Sequence, residues 1–108
     1  SRKNNLIDHK LQLGYESMKM NQITPEQLSE KTTSSVSLLI SGDYLPPQSL
    51  IFFNDKRLLT TWESETSLRA TLPVELIKAG KWEIKAKIID SKEIVIAQSD
   101  SIILTITK

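Results

Sequence analysis

The sequence predicts an all-β domain, an antiparallel β-sandwich of seven to eight short strands. Three observations predict it. Apolar and polar residues alternate over short runs, as in half-buried strands. Turn signals recur at intervals of roughly 8–12 residues. The stretches with helical signals are one or two turns long, too little for a βαβ arrangement. The stretch from Val36 to Pro73 carries most of this pattern and organises the rest.

At 108 residues the chain suits one domain. Such a domain can bury about two-thirds of the surface its unfolded chain exposes. Composition is that of a soluble globular protein, 39% hydrophobic and 25% charged. A net charge of +1 gives no field that argues for nucleic acid or an acidic membrane. The absence of cysteine excludes disulfides, thiolate metal sites and cysteine nucleophiles, and argues against a disulfide-stapled secreted module. No apolar run approaches the ~20 residues of a membrane span. The chain begins at Ser1 and reads as a fragment or processed chain.

Residues Ser1 to Gly14 are read as a polar linker or arm, and Tyr15 to Lys108 as the sandwich domain. Leu6, Ile7, Leu11 and Leu13 can line a short helix in the arm, and Arg2-Lys3 fits a position beside an upstream membrane anchor. From Tyr15 to Ile23 the pattern becomes strand-like, with Tyr15, Met18, Met20 and Ile23 apolar. Thr24-Pro25 stops it. Thr24, Pro25 and Gln27 also fit a capping box opening a turn of helix to about Glu30.

Val36, Leu38 and Ile40 alternate into the core, and Gly42 marks a bulge or close backbone approach. Asp43 to Pro47 is a rigid turn because proline lacks a donor. Leu50–Phe53 is the next strand, Asn54-Asp55 a tight turn, and Leu58–Trp62 another strand. Leu68, Ala70 and Leu72 alternate before Pro73. Val74–Ala79 is expected to form one turn closed by Gly80 at the C′ position. Trp82, Ile84, Ala86 and Ile88 then alternate with Lys81, Glu83, Lys85 and Lys87, apolar on one face and charged on the other. After an Asp90–Lys92 turn, Glu93–Ala97 and Ser101–Thr107 are the closing strands.

In order and spacing, these residues resemble the immunoglobulin-like IPT/TIG domain. The resemblance rests on the strand ending in Gly42, Ile51-x-Phe53-Asn54, Thr60-Thr61-Trp62-x-Ser64 and Leu68-x-Ala70-x-Leu72-Pro73. Ile23-Thr24-Pro25 precedes them, and Leu76 to Gly80 and Ser99 follow, so coverage runs from Tyr15 to Thr107. Asp55 replaces the family's usual glycine, and the hairpin after Ile89 lacks the glycines often found there. The resemblance implies an immunoglobulin-like sandwich used as a module of larger proteins. In bacteria such modules serve as spacers or adhesive units of exported and surface proteins, or as accessory domains of carbohydrate-active enzymes. In animals they occur in receptor ectodomains and in Rel-type transcription factors.

Few residues offer chemistry. His9 lies in the arm and reads as solvated. Ser34-Ser35 and Ser99-Asp100-Ser101 read as loop residues, since a serine nucleophile needs a positioned base. Glu63, Glu65, Asp43 and Asp55 are the carboxylate candidates, but a filled sandwich offers no cleft for a glycosidase pair. No acidic run fits a calcium loop. Lys81, Lys85, Lys87 and Lys92 read as a wet sheet face. A Rel-like DNA reader needs clustered arginines, and only Arg2, Arg57 and Arg69 are present.

The expectation is therefore a non-catalytic module that needs no cofactor or metal and binds no nucleic acid. Its location would be extracellular, cell-surface or periplasmic, and its partners neighbouring domains or another protein. Any membrane contact would come from an upstream anchor. Leu39, Leu50, Phe52, Ile89 and Ile103 fall off the core phase. They form either a docking face or a second minor cluster under a loop. Trp82 and Phe53 are assigned to the core. Tyr44 and Trp62 are the candidate stacking aromatics of the alternative reading, a carbohydrate-binding accessory domain. Tyr44 can equally cover the sandwich end, and Trp62 is expected to be partly buried.

Overall fold

The computed structural model describes residues Met18 to Lys108. The arm, His9 and Tyr15 lie outside the described residues. Two antiparallel-based sheets face each other. Nine strands build them: β1 (Lys19–Thr24), β2 (Gln27–Ser29), β3 (Val36–Asp43), β4 (Leu50–Phe53), β5 (Lys56–Arg57), β6 (Leu59–Ser64), β7 (Ser67–Leu72), β8 (Gly80–Ile89) and β9 (Val95–Thr107). A four-stranded sheet has the order β1-β3-β7-β6, and a five-stranded sheet the order β2-β9-β8-β4-β5. The fold is an all-β sandwich, consistent with an immunoglobulin-like domain. No helix among the described residues is long and apolar enough to cross a membrane.

The alternating runs point where their period requires. Leu38 and Ile40 of β3 and Leu68, Ala70 and Leu72 of β7 line one inner face. Ile51 and Phe53 of β4, Ile84, Ala86 and Ile88 of β8, and Leu104 and Ile106 of β9 line the other. All are buried in one cluster with Met20 and Ile23 of β1. Gly42 is the close approach its position implied. A Cβ there would lie 2.1 Å from the Lys19 carbonyl oxygen. Opposite it, β1 shifts register between Met20 and Gln22.

Four expectations are corrected. Thr24 to Glu30 holds no helical turn. After a cis Thr24-Pro25 bond, Gln27–Ser29 runs parallel to Thr105–Thr107. The β9 edge left the short segment a ladder to join, and Glu30 N–H donates to the Thr107 carbonyl at 2.7 Å. The two closing strands are one, β9, of 13 residues. Ser99-Asp100-Ser101 is not a loop but an irregularity within it, where β9 gains a residue between Gln98 and Ser101 while β8 steps from Lys87 to Lys85. Ser99 is buried there; its hydroxyl accepts from Ala86 N–H at 3.0 Å and donates to the Asp100 carbonyl at 2.6 Å. Finally, the turn after Pro73 is a 3-10 turn over Val74–Leu76. Gly80 does not close it but opens β8, with φ 146°, a value other residues rarely adopt.

The chain also changes sheets within one apparent strand. Leu58 separates β5 from β6 and is buried. Its N–H donates to the Ile51 carbonyl at 2.8 Å. Thr60 Oγ1 accepts from Ile51 N–H at 2.9 Å and donates to the Leu58 carbonyl at 3.0 Å. These bonds keep β4 satisfied while the chain crosses to pair with β7.

Candidate functional site

The outward apolar residues do not form one patch. Leu39 lies on β3, in the four-stranded sheet, opposite Thr24 and Arg69. Leu50 and Phe52 of β4 and Ile103 of β9 lie on the outside of the five-stranded sheet. Alternation decides which residues face outward; it does not say from which sheet. Within the five-stranded sheet charge separates the apolar groups. Phe52 pairs across the strands with Lys85 and Arg57. The Lys87 ammonium stands 4.6 Å from its ring centre, and the Arg57 guanidinium 5.9 Å. Ile103 is 47% exposed and faces Glu83 across the β8–β9 ladder. Ile89 is half-buried at the end of β8, opposite Val95. Lys81, Lys85 and Lys87 share this face with Glu83, which lies 3.5 Å from Lys85 Nζ. The face is wet and mixed in charge, with Lys87 over the Phe52 ring and Ile103 left open.

Tyr44 and Trp62 both lie at the Asp43 end of the sandwich. Tyr44 has φ 57° and is 65% exposed. The next residue, Leu45, is fully buried, and its N–H donates to the Glu65 carbonyl at 2.8 Å. The Leu45 carbonyl accepts the Trp62 indole Nε1–H at 2.8 Å. Trp62 sits on the edge strand β6 opposite Leu68, so it faces inward beyond the core and stays 39% exposed. Partial burial was the expectation for it.

Beside it, Glu63 accepts from Arg69 Nε at 3.0 Å and from Ser67 Oγ at 2.9 Å. The Arg69 hydrogen bond, seconded by Ser67, holds its carboxyl below the ordinary value. A carboxylate so held is ionised at neutral pH and is engaged by Arg69 and Ser67 rather than poised as a proton donor. Among the described residues, no three His, Cys, Asp or Glu side chains are grouped to hold a metal ion.

A third feature lies at the opposite, Gly80 end. Trp82, half-buried near the start of β8, stacks on Phe53 with ring centres 4.9 Å apart and planes 24° off parallel. Its indole Nε1–H donates to the Lys78 carbonyl at 2.8 Å. With Leu76 these rings floor a groove of about 280 Å³ whose lining is mostly apolar. Asn54, Asp55 and Lys56 from the β4–β5 turn rim one side, and Glu75 and Lys78 the other. The turn that places the first three is set by the φ of 51° at Asn54 and by its tie to β8, where its Oδ1 accepts from Glu83 N–H at 2.8 Å. Reading Phe53 and Trp82 as core was right for Phe53, which is buried, and incomplete for Trp82. The signal available was position: Trp82 stands two residues after a glycine, near the start of its strand rather than in its middle.

No family model matches the sequence, and no curated protein matches it. The fold is similar to part of a solved structure, an auxiliary nutrient binding protein from Bacteroides ovatus, with a TM-score of 0.60 and 7% sequence identity. The similarity covers 83% of this chain and 21% of that one, so the chain spans about a fifth of that protein's length. At this identity the likeness is one of fold.

Proposed function

We propose that the chain is a non-catalytic immunoglobulin-like module, of the IPT/TIG type, within a larger bacterial exported or cell-surface protein. It acts there as a spacer and as a contact unit for neighbouring domains or another protein. The observation that carries this reading is the path of the chain. β1 starts opposite Asp43, at one end of the sandwich, and the end of β9 lies opposite Gly80, at the other. A polypeptide that enters at one end and leaves at the opposite end links modules in series, each adding its own length. The IPT/TIG assignment draws support from the tight contact at Gly42, the positive φ of Asn54 and the inward Leu68-x-Ala70-x-Leu72 run. An exported location draws support from the fold's occurrence within a bacterial auxiliary nutrient binding protein. An epitope inserted between the exposed Ser91 and Lys92 of the parent protein tests the location. Intact cells or their periplasmic fraction should carry the epitope, and recovery in the cytoplasm alone overturns the reading.

A second reading, a carbohydrate-binding accessory domain, is favoured by one observation: exposed aromatic surface sits at the sandwich ends, at Tyr44 and Trp62 and again at Trp82. Aromatic rings present the flat apolar area that stacks on sugar rings.

A further inference from the structure

We propose that the groove at the Gly80 end is a saccharide site taking one or two rings of a neutral pyranose sugar, with Trp82 as its platform. This rests on the carbohydrate-binding reading and places its site at the end opposite Tyr44 and Trp62.

Three features of the groove argue for it. The first is rigidity. Trp82 is held by its hydrogen bond to the Lys78 carbonyl and by its stack on the buried Phe53. A platform ordered before binding loses little entropy when it binds. Tyr44, by contrast, stands 65% exposed on a loop. The second is the combination of an apolar floor with a polar rim. A pyranose ring offers an apolar C–H face and, around its edge, hydroxyls that both donate and accept. Asp55 and Glu75 are acceptors for those hydroxyls, while Lys56 and Lys78 are donors. The Asn54 carbonyl oxygen is engaged with Glu83 N–H, which leaves its amide N–H groups to donate. Two acidic and two basic rim residues balance, so a neutral ligand fits better than an anion or a cation. The third is size. About 280 Å³ lies at the lower bound of small-molecule sites, roughly 300 Å³ and upward, which limits the occupant to one or two sugar rings.

The chain has two tryptophans, so its amide correlation spectrum holds two indole N–H signals, one for each candidate site. The 108-residue chain is titrated with neutral mono- and disaccharides of the gluco, galacto, manno and xylo series while both signals are followed. The expected result is a saturable shift of the Trp82 signal with at least one sugar, the Trp62 signal remaining still. Asp55→Ala and Glu75→Ala alter exposed rim side chains and leave the core intact. Each should weaken that sugar about tenfold, as for loss of a charge-assisted hydrogen bond. Trp62→Phe should leave its affinity unchanged. If sugar moves Trp62 and spares Trp82, the groove assignment is overturned and the carbohydrate-binding reading stands. If the rim variants bind as the parent does, the groove is likewise overturned. If no sugar shifts either signal, both fall, and the spacer reading is untouched.

Discussion

Trp62 and Trp82 make the same hydrogen bond and live in different surroundings. Each indole N–H donates to a backbone carbonyl at 2.8 Å, Leu45 for one and Lys78 for the other. Each points to the inner side of its sheet. Yet Trp62 lies on β6, an edge strand, and Trp82 on β8, which has β9 and β4 on its two sides. The interior strand supplies Trp82 with Phe53 to stack on. The edge strand leaves Trp62 as a lid over the loop that carries Leu45. What separates the two is the place of the strand in the sheet, which neither the residue type nor its alternation reveals.

The largest effect should come at the Trp62 end, from Gly42→Ala. The added methyl would meet the Lys19 carbonyl oxygen at 2.1 Å and Leu45 Cδ1 at 3.1 Å, so β1 and β3 must part. A loss of about 3 kcal/mol is expected in urea unfolding. The Trp62 indole signal should move more than that of Trp82; equal movement would mean that the two ends are not separate.

Next come the tryptophans themselves. Trp82→Ala removes a half-buried ring and an aromatic stack, and should cost about 2 kcal/mol. Trp62→Ala removes a more exposed ring and its bond to the Leu45 carbonyl, about 1.5 kcal/mol. Denaturation midpoints measured side by side check the order, and a reversed order would break the comparison.

The smallest effect concerns pH at the Trp62 end. Glu63 has a folded-state pKa below its ordinary value, so its contribution is full above that ordinary value. It is lost as pH falls through the lowered folded value. Stability of the parent and of Glu63→Gln should therefore differ slightly at neutral pH and converge in acid. A gap that stays constant across the series would show that Arg69 does not act through the charge of Glu63.

Much of the fold was legible in the residues. Leu38, Ile40, Leu68, Ala70, Leu72, Ile84, Ala86 and Ile88 are buried where their alternation placed them. Gly42 and Asn54 stand at the tight approach and the turn their types implied. Two of the errors share one cause. Gln27–Ser29 is a strand because β9 lies beside it, and Ser99 is buried because the β8–β9 register slips there. Both depend on partners distant in the sequence. The candidate surfaces were less legible for the same reason. Trp62 is tied to the loop that carries Tyr44 through the Leu45 carbonyl, while Leu39 is parted from Leu50, Phe52 and Ile103 by the whole thickness of the sandwich.

By itself, then, the sequence determined most of the strands, their inward faces and the absence of cysteine chemistry, because two-residue periodicity and turn preferences are local properties of the chain. Only the tertiary structure decided which strands share a sheet, where the chain passes from one sheet to the other at Leu58, and which tryptophan floors a groove. Those outcomes depend on long-range pairing, and pairing places an outward or end-facing residue beside neighbours that no local pattern names.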